Sequence, residues 1–481
     1  MHECLKEPLL INTGNISDPT PIGDAILEGY APGGELYTYS EYPEITLEEL
    51  TSLQGANYST VFCEVTKKLL GTAVPYETLK IIAQEAYSPD NFDFEDGQLQ
   101  FTTLSSGVHV VGLSDGPTGS FKDMAMQPVA RLMSYLQNKK DIPLTLLLST
   151  SGDTGPAALA AFGEAKNTEI INMLPKQGVS LLQWAQMASY SEAEGVHVLE
   201  VAGSFSDIND MHMKADEIFD LGAANSVNIA RLISQVPYYV ASYLQAIELE
   251  GKEIGELVDI SVPSGNFGNA LAGIIAREMG VPIRNIIVAT NENDTLYKLI
   301  SEGIFRESDF QHTDSSAQDV RMPSNAWRYL SMIYDNDPTK ISKIWNTLQA
   351  QKTVDLRDIG PTNPDITNGI LTARITRAQR AHTIKRVHET SGIIIDPHTS
   401  NGVAAIEQLG IQEHGVPILS METAKPLKFN DTIRKILGIV PPRPQRFVGL
   451  ETGQQDKKLI QIANEAELIQ YLDTHTQAVR K

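Results

Sequence analysis

The sequence predicts an α/β fold of parallel sheets covered by helices, behind a mostly helical N-terminal region. Three observations carry that prediction. Short apolar runs recur without polar alternation: LTLLLST (144–150), EIINMLP (169–175), VHVLEVAG (196–203), LVDISVP (257–263), NIIVATN (285–291) and VPILSME (416–422). Such runs are strands buried on both faces, the habit of parallel sheet. Two of them pass through a small-residue turn into a helix, SGDTG into PAALAAFGEA and SGNFGN into ALAGIIAREMG. The chain has 481 residues, 42% of them hydrophobic, enough for roughly two to four domains with cores of their own.

Taken in order, the first hundred residues read as helices. One runs through TPIGDAILEGYA and another through TLEELTSL, where Thr46 and Glu49 make a capping box. The acidic stretch 88–100 reads as a connector to the strand-rich part. The chain thus divides into residues 1–100, 101–230 and 231–481, the last with a C-terminal extension. Segments 351–370 and 440–456, rich in Pro, Gly and polar residues, read as surface loops or linkers. No fixed-period repeat is visible.

Composition excludes several classes. Lys and Arg number 38 against 60 Asp and Glu, a net charge of −22, which argues against a nucleic-acid or anionic-membrane binder. No apolar run approaches the ~20 residues of a membrane span. The two cysteines, Cys4 and Cys63, form no metal-ligand spacing and no disulfide framework, so no metal site is expected. With no export or transit pattern at the start, the expected setting is the cytoplasm.

Six segments can carry chemistry. In DGPTGSFKD (115–123), Lys122 stands at a helix start, where the positive dipole end lowers an amine pKa and suits Schiff-base chemistry. The plain alternative is a surface lysine. The turn TSGDTG offers Thr150, Ser151, Asp153 and Thr154 at a helix N-terminus, either an anion site or a capped βα turn. In SGNFGN, Gly265 and Gly268 let backbone approach a phosphate, around Asn266, Phe267 and Asn269; the motif is neither GxGxxG nor GxxxxGK[ST]. In NSVNIARL, Asn225 can cap a helix while Ser226 and Arg231 bind an anion, or Arg231 serves a structural ion pair. NENDT (291–295) reads as a polar loop and cap. Thr423, after the last strand, can meet a ring nitrogen or simply end a turn. His197 and His398 read as packing or capping residues, and Tyr238–Tyr239 and Trp327–Tyr329 as core aromatics.

The joint order says more than any one segment: lysine at a helix start, hydroxyl-rich loop, Asn-Ser-Arg segment, Gly-Asn loop, late strand with threonine. An aldehyde cofactor with a phosphate tail uses that set, and pyridoxal phosphate is such a cofactor.

Here the chain resembles threonine synthases, pyridoxal-phosphate enzymes of the tryptophan-synthase-β-like fold (fold type II). The matching segments are DGPTGSFKD, LSTSGDTGPA, AANSVNIARL, SVPSGNFGN, ATNENDT, SSAQDV, DPHTSNGVAA and TAKPLKF, with LINTGN…AILEGYAPGGELY near the start. The likeness spans residues 10 to 438. It implies a two-domain core, the lysine and substrate domain at 101–230 and the cofactor-phosphate domain at 231–481, behind an N-terminal domain at 1–100. It implies that Lys122 holds the cofactor aldehyde, that Gly265, Asn266, Phe267, Gly268 and Asn269 cradle its phosphate, that Thr423 faces the pyridine nitrogen, and that Asp153 lies near the ring hydroxyl. Thr150, Ser151 and Thr154 would line the substrate site, and Asn225, Ser226 and Arg231 would take the phosphate of O-phosphohomoserine. The implied reaction is γ-elimination of phosphate and β-addition of water, giving L-threonine. Monomer and homodimer both remain open.

The sequence departs from the family's pattern near the implied site: Lys425 stands where histidine is usual, Glu422 where a small residue is usual, Gln318 for a methionine, Gly119-Ser120 for Leu-Ala, and LPKQGVSLLQ matches loosely. These departures imply an alternative, a threonine-synthase-like lyase or β/γ-replacement enzyme for another phosphorylated amino acid in a specialised pathway.

Overall fold

The computed structural model describes residues 6–140, 143–150, 152–163, 165, 167–176, 179–203, 205–307, 309–411, 415–454 and 456–481. Two sheets dominate. The larger has six strands in the order Ile370–Arg374, Ile283–Thr290, Val258–Pro263, Ile418–Glu422, His109–Gly112, Gln100–Thr103. The first five are parallel and the last pair is antiparallel. The smaller sheet is parallel throughout: Ile460–Ile462, Val196–Val201, Thr168–Pro175, Leu144–Ser149. Val258–Pro263 and Thr168–Pro175 are buried at every residue, as their continuous apolar sequence demands.

The sheets exchange segments. Residues 100–112 pair in the large sheet, and Ile460–Ile462 crosses back to edge the small one. Two short antiparallel pairs stand apart from both sheets, Ile304–Arg306 with Thr353–Asp355 and Phe219–Asp220 with Val479–Arg480.

The N-terminal region is helical as expected, with Ile22–Glu28, Leu47–Ser52, Tyr58–Leu70 and Tyr76–Ala86 beside a small three-stranded sheet. Thr46 and Glu49 form the capping box. The stretch 88–100 is more than a connector. Phe92 is buried and stacks on Phe94, and both pack on Tyr87. Segment 351–370 holds the strand Thr353–Asp355 and ends in the large sheet. In 440–456, the turn Gln445–Phe447 sinks Phe447 among Leu182, Leu427 and Leu450. Both segments therefore do structural work that their composition conceals. Among the described residues, no helix is long and apolar enough to cross a membrane.

Candidate active site

Strand His109–Gly112 leads through a tight loop into helix Lys122–Lys140. The loop is fixed from two sides. Thr118 donates through its backbone N–H and its hydroxyl to the Asp123 carboxylate, each at 2.8 Å. The Phe121 N–H reaches the Thr423 carbonyl at 3.0 Å, and the Lys425 N–H the Gly119 carbonyl at 3.0 Å. Gly119 has a φ of +69°, and a Cβ there would meet the Phe447 ring at 3.2 Å. Lys122 is thus presented at a helix start, beside the C-terminal end of strand Ile418–Glu422.

Its Nζ lies 3.7 Å from Asp153 Oδ2. The Lys122 amine is shifted below the usual lysine range by burial first; Lys428 and Arg231 push the same way, while Asp153 and Asp123 oppose. Asp153 occupies the N-cap position of helix Thr154–Phe162 but makes no cap bond. Its Oδ1 instead accepts from Lys428 Nζ at 2.6 Å and Gln183 Nε2 at 2.8 Å. Burial would raise its carboxyl; Lys428, then Lys122, hold it well below the usual range.

The TSGDTG turn proves partly structural. Thr150 Oγ1 accepts from the N–H groups of Gly152 and Gly155 at 3.2 and 2.9 Å and is 3.1 Å from the Gly152 carbonyl, so its hydroxyl is used inside the turn. Thr154 opens the helix, half-buried. Ser151 lies outside the described residues.

At the end of Val258–Pro263, the SGNFGN loop turns into helix Gly268–Glu278. Gly265 is required: a Cβ would sit 2.7 Å from the Ala317 carbonyl oxygen and 2.9 Å from Gln318 Cα. Phe267 adopts a φ of 67° and sets its ring edge-on to Tyr329. Asn269 Oδ1 accepts from the hydroxyls of Tyr238 (2.5 Å) and Tyr239 (2.8 Å). Its Nδ2, and the nearby Ser264 Oγ, are buried without a partner among the described residues.

Segments 291–295, 315–320 and 396–401 hold this cradle in place. Asn291 and Asn293 donate to Asp319 at 2.8 and 3.1 Å. His398 Nε2 accepts from the Ala317 N–H at 3.1 Å, while its Nδ1 bonds Asp396 at 2.7 Å. Gln318 donates to the Ala289 carbonyl at 2.8 Å and accepts from Asn401 at 2.6 Å. Together these fix Ala317–Gln318 against Gly265.

In NSVNIARL the helix cap is Asn228, not Asn225. Asn228 Oδ1 accepts from the Ala230 N–H at 2.9 Å, and its amide donates to Ile26 and Ala223 carbonyls. Asn225 stands instead beside the Tyr30 hydroxyl. Arg231 is buried and pushed down to about 10 by burial. Its guanidinium makes one long bond, to the Ala224 carbonyl (3.4 Å), and its Nε has no partner among the described residues. Among the described residues it makes no ion pair with a carboxylate, so the structural ion pair is not formed there.

Four residues escaped the sequence reading. Lys428 pairs with Asp153. Arg328, between aromatics, bonds the carbonyls of Tyr37 (2.7 Å) and Val227 (2.5 Å) and Asn325 Oδ1 (2.6 Å). Asn325 in turn donates to the carbonyls of Ser226 (3.0 Å) and Asn266 (3.2 Å), joining the Asn-Ser-Arg segment to the Gly-Asn loop. Gln183 completes the shell of Asp153. No local signal marks any of them. Lys425 bridges Asp115 (2.7 Å) and Glu422 (2.8 Å), and Ser114 also donates to Glu422.

These residues fit an aldehyde with a phosphate tail. The amine is buried and shifted below the usual lysine range, the loop has no room for a Cβ at Gly265, and two buried polar atoms of the loop have no partner among the described residues. Among the described residues no cluster of His, Cys, Asp or Glu can hold a metal.

Comparison with known proteins agrees. The family described as pyridoxal-phosphate dependent enzyme matches residues 112–419; the families described as threonine synthase N terminus and threonine synthase, C-terminal match 10–87 and 399–472. The threonine synthase of Methylobacillus glycogenes is 34% identical over 97% of this chain and 99% of its own length. That of Corynebacterium glutamicum is 34% identical over 90% of this chain and 91% of its own. The pyridoxal-phosphate-bound threonine synthase of Brucella melitensis superposes with a TM-score of 0.89 at 29% identity, covering 98% of this chain and 99% of that one. The chain belongs to the threonine synthase family of pyridoxal-phosphate-dependent enzymes.

Proposed function

We propose that this protein converts O-phosphohomoserine and water to L-threonine and phosphate, with pyridoxal phosphate carried on Lys122. The observation that carries the reading is the buried Arg231, a guanidinium with no carboxylate partner among the described residues, within electrostatic reach of the Lys122 amine. When bound, pyridoxal phosphate supplies the electron sink that makes the substrate's Cα proton removable. The chain's own residues do the rest. Lys122 accepts and returns protons at Cα and Cβ. Arg231 binds the substrate phosphate with its fork, joined by Asn225 and Ser226, and stabilises the charge as phosphate leaves Cγ. The residues Gly265, Asn266, Phe267, Gly268 and Asn269 hold the cofactor phosphate at their helix start. Thr423 would hold the cofactor ring at its nitrogen, and Asp153 would hold it at its hydroxyl. Thr150 shapes the turn that presents Thr154 to the substrate; Ser151 keeps its place in that loop by sequence alone.

We read the setting as the cytoplasm, supported by the free, buried Cys63. The segments 101–230 and 231–481 serve as lysine-bearing and phosphate-binding domains, the first lending two strands to the large sheet and the second one strand to the small sheet.

The test has two arms. Borohydride reduction with pyridoxal phosphate, followed by peptide mapping, should mark Lys122. Incubation of the loaded enzyme with O-phosphohomoserine should release threonine in step with phosphate, and Lys122→Ala should release neither. Phosphate accompanied by 2-oxobutyrate in place of threonine would overturn the synthase reading.

A further inference from the structure

Lys428 lies in the turn Pro426–Phe429, five residues beyond Thr423. Its side chain is 1% exposed. The ammonium is 2.6 Å from Asp153 Oδ1 and donates to the Thr118 carbonyl at 2.9 Å. It therefore ties together a turn of the large sheet, the loop that presents Lys122, and the first residues of the small-sheet helix. The other Asp153 oxygen stands 3.7 Å from Lys122 Nζ. Two buried amines thus share one carboxylate, and the closer contact belongs to Lys428.

The remaining charges do not redress this. Lys122 faces Asp153, Lys428, Arg231 and Asp123. Asp123 is committed to the two Thr118 donors, and Arg231 adds positive charge. A carboxylate already neutralised by a nearer ammonium does little to hold a proton on a second amine. An amine must be unprotonated to attack an aldehyde.

We propose that Lys428 is a positioning residue that takes up Asp153 and thereby leaves the Lys122 amine free to react with an aldehyde. The proposal rests on Lys122 being the lysine that carries the cofactor.

The experiment uses the full chain stripped of cofactor. Trace acetylation between pH 6 and 10, read lysine by lysine by mass spectrometry, gives the titration of Lys122, with exposed Lys385 as internal reference. Wild-type Lys122 should become reactive at lower pH than Lys385. In Lys428→Gln, which can still donate to Thr118, the Lys122 profile should move up by about one pH unit, a tenfold loss of reactivity on its rising limb. Lys428→Arg should restore the wild-type profile. A Gln variant that titrates like wild type, or a shift downward, would overturn the proposal. Should the Gln variant not fold, the Arg variant decides, since a profile displaced upward despite the kept charge refutes it and a coincident one supports it. Borohydride trapping of pyridoxal phosphate at a lysine other than Lys122 would instead remove the reading beneath it, however Lys122 titrates.

Discussion

Asp123 is a carboxylate kept from water. Burial pushes it up to about 6, although the two Thr118 donors pull the other way. An unfolded aspartate titrates near 4. Between about 4 and 6 the folded chain binds the extra proton, so this contribution is full below 4 and is lost as pH rises through 6. Two pH units correspond to about 3 kcal/mol at most. Asp153 tilts the opposite way: its carboxyl is lowered, so its contribution is present above the usual carboxylate range and is lost only as pH falls well beneath it. Urea denaturation at pH 4.5 and 7 should show Asp123→Asn gaining on wild type at the higher pH; an unchanged difference would refute this. Arg328 makes the companion case. Lysine keeps its charge but cannot reach Tyr37, Val227 and Asn325 together. Arg328→Lys should cost about 2–4 kcal/mol in urea denaturation. It should also weaken pyridoxal-phosphate binding, because Asn325 steadies the Asn266 carbonyl.

At the scale of elements, the Gly-Asn loop shows what sequence can and cannot reveal. Its glycines were visible, and so was the helix behind it. The reason for Gly265 was not, because the obstacle is the carbonyl of Ala317, which the sequence leaves distant. Gly265→Ala must displace Ala317–Gln318 from their bonds to His398, Ala289 and Asn401. Fluorescence titration should show at least a tenfold loss of pyridoxal-phosphate affinity, with a stability loss of about 1–3 kcal/mol from overpacking. The strands followed the same rule. Continuous apolar runs such as LTLLLST declared themselves. Gln100–Thr103, with two exposed residues at a sheet edge, and Ile370–Arg374, beside a loop of prolines and asparagines, carried too little contrast. Asn228 outcompeted Asn225 as cap because its amide also satisfies two buried carbonyls.

Across the whole molecule, the information missing from the sequence is which distant segments meet. Lys428 finds Asp153, and Phe447 finds Leu182 and Leu427, through chain paths that no local pattern encodes. Phe447 joins a helix of the small sheet to a turn of the large one and backs Gly119 as well. Phe447→Ala should cost about 3 kcal/mol. Limited proteolysis should then cut within 440–456 faster than in wild type, and equal rates would show that the segment is held by other contacts. The edge strand Ile460–Ile462 carries a different consequence. On the ribosome, Val196–Val201 emerges roughly 260 residues before the strand that covers its open edge. During that interval the half-built sheet offers unpaired backbone to any neighbouring nascent chain, so crowded polysomes are where this protein is most exposed to mispairing.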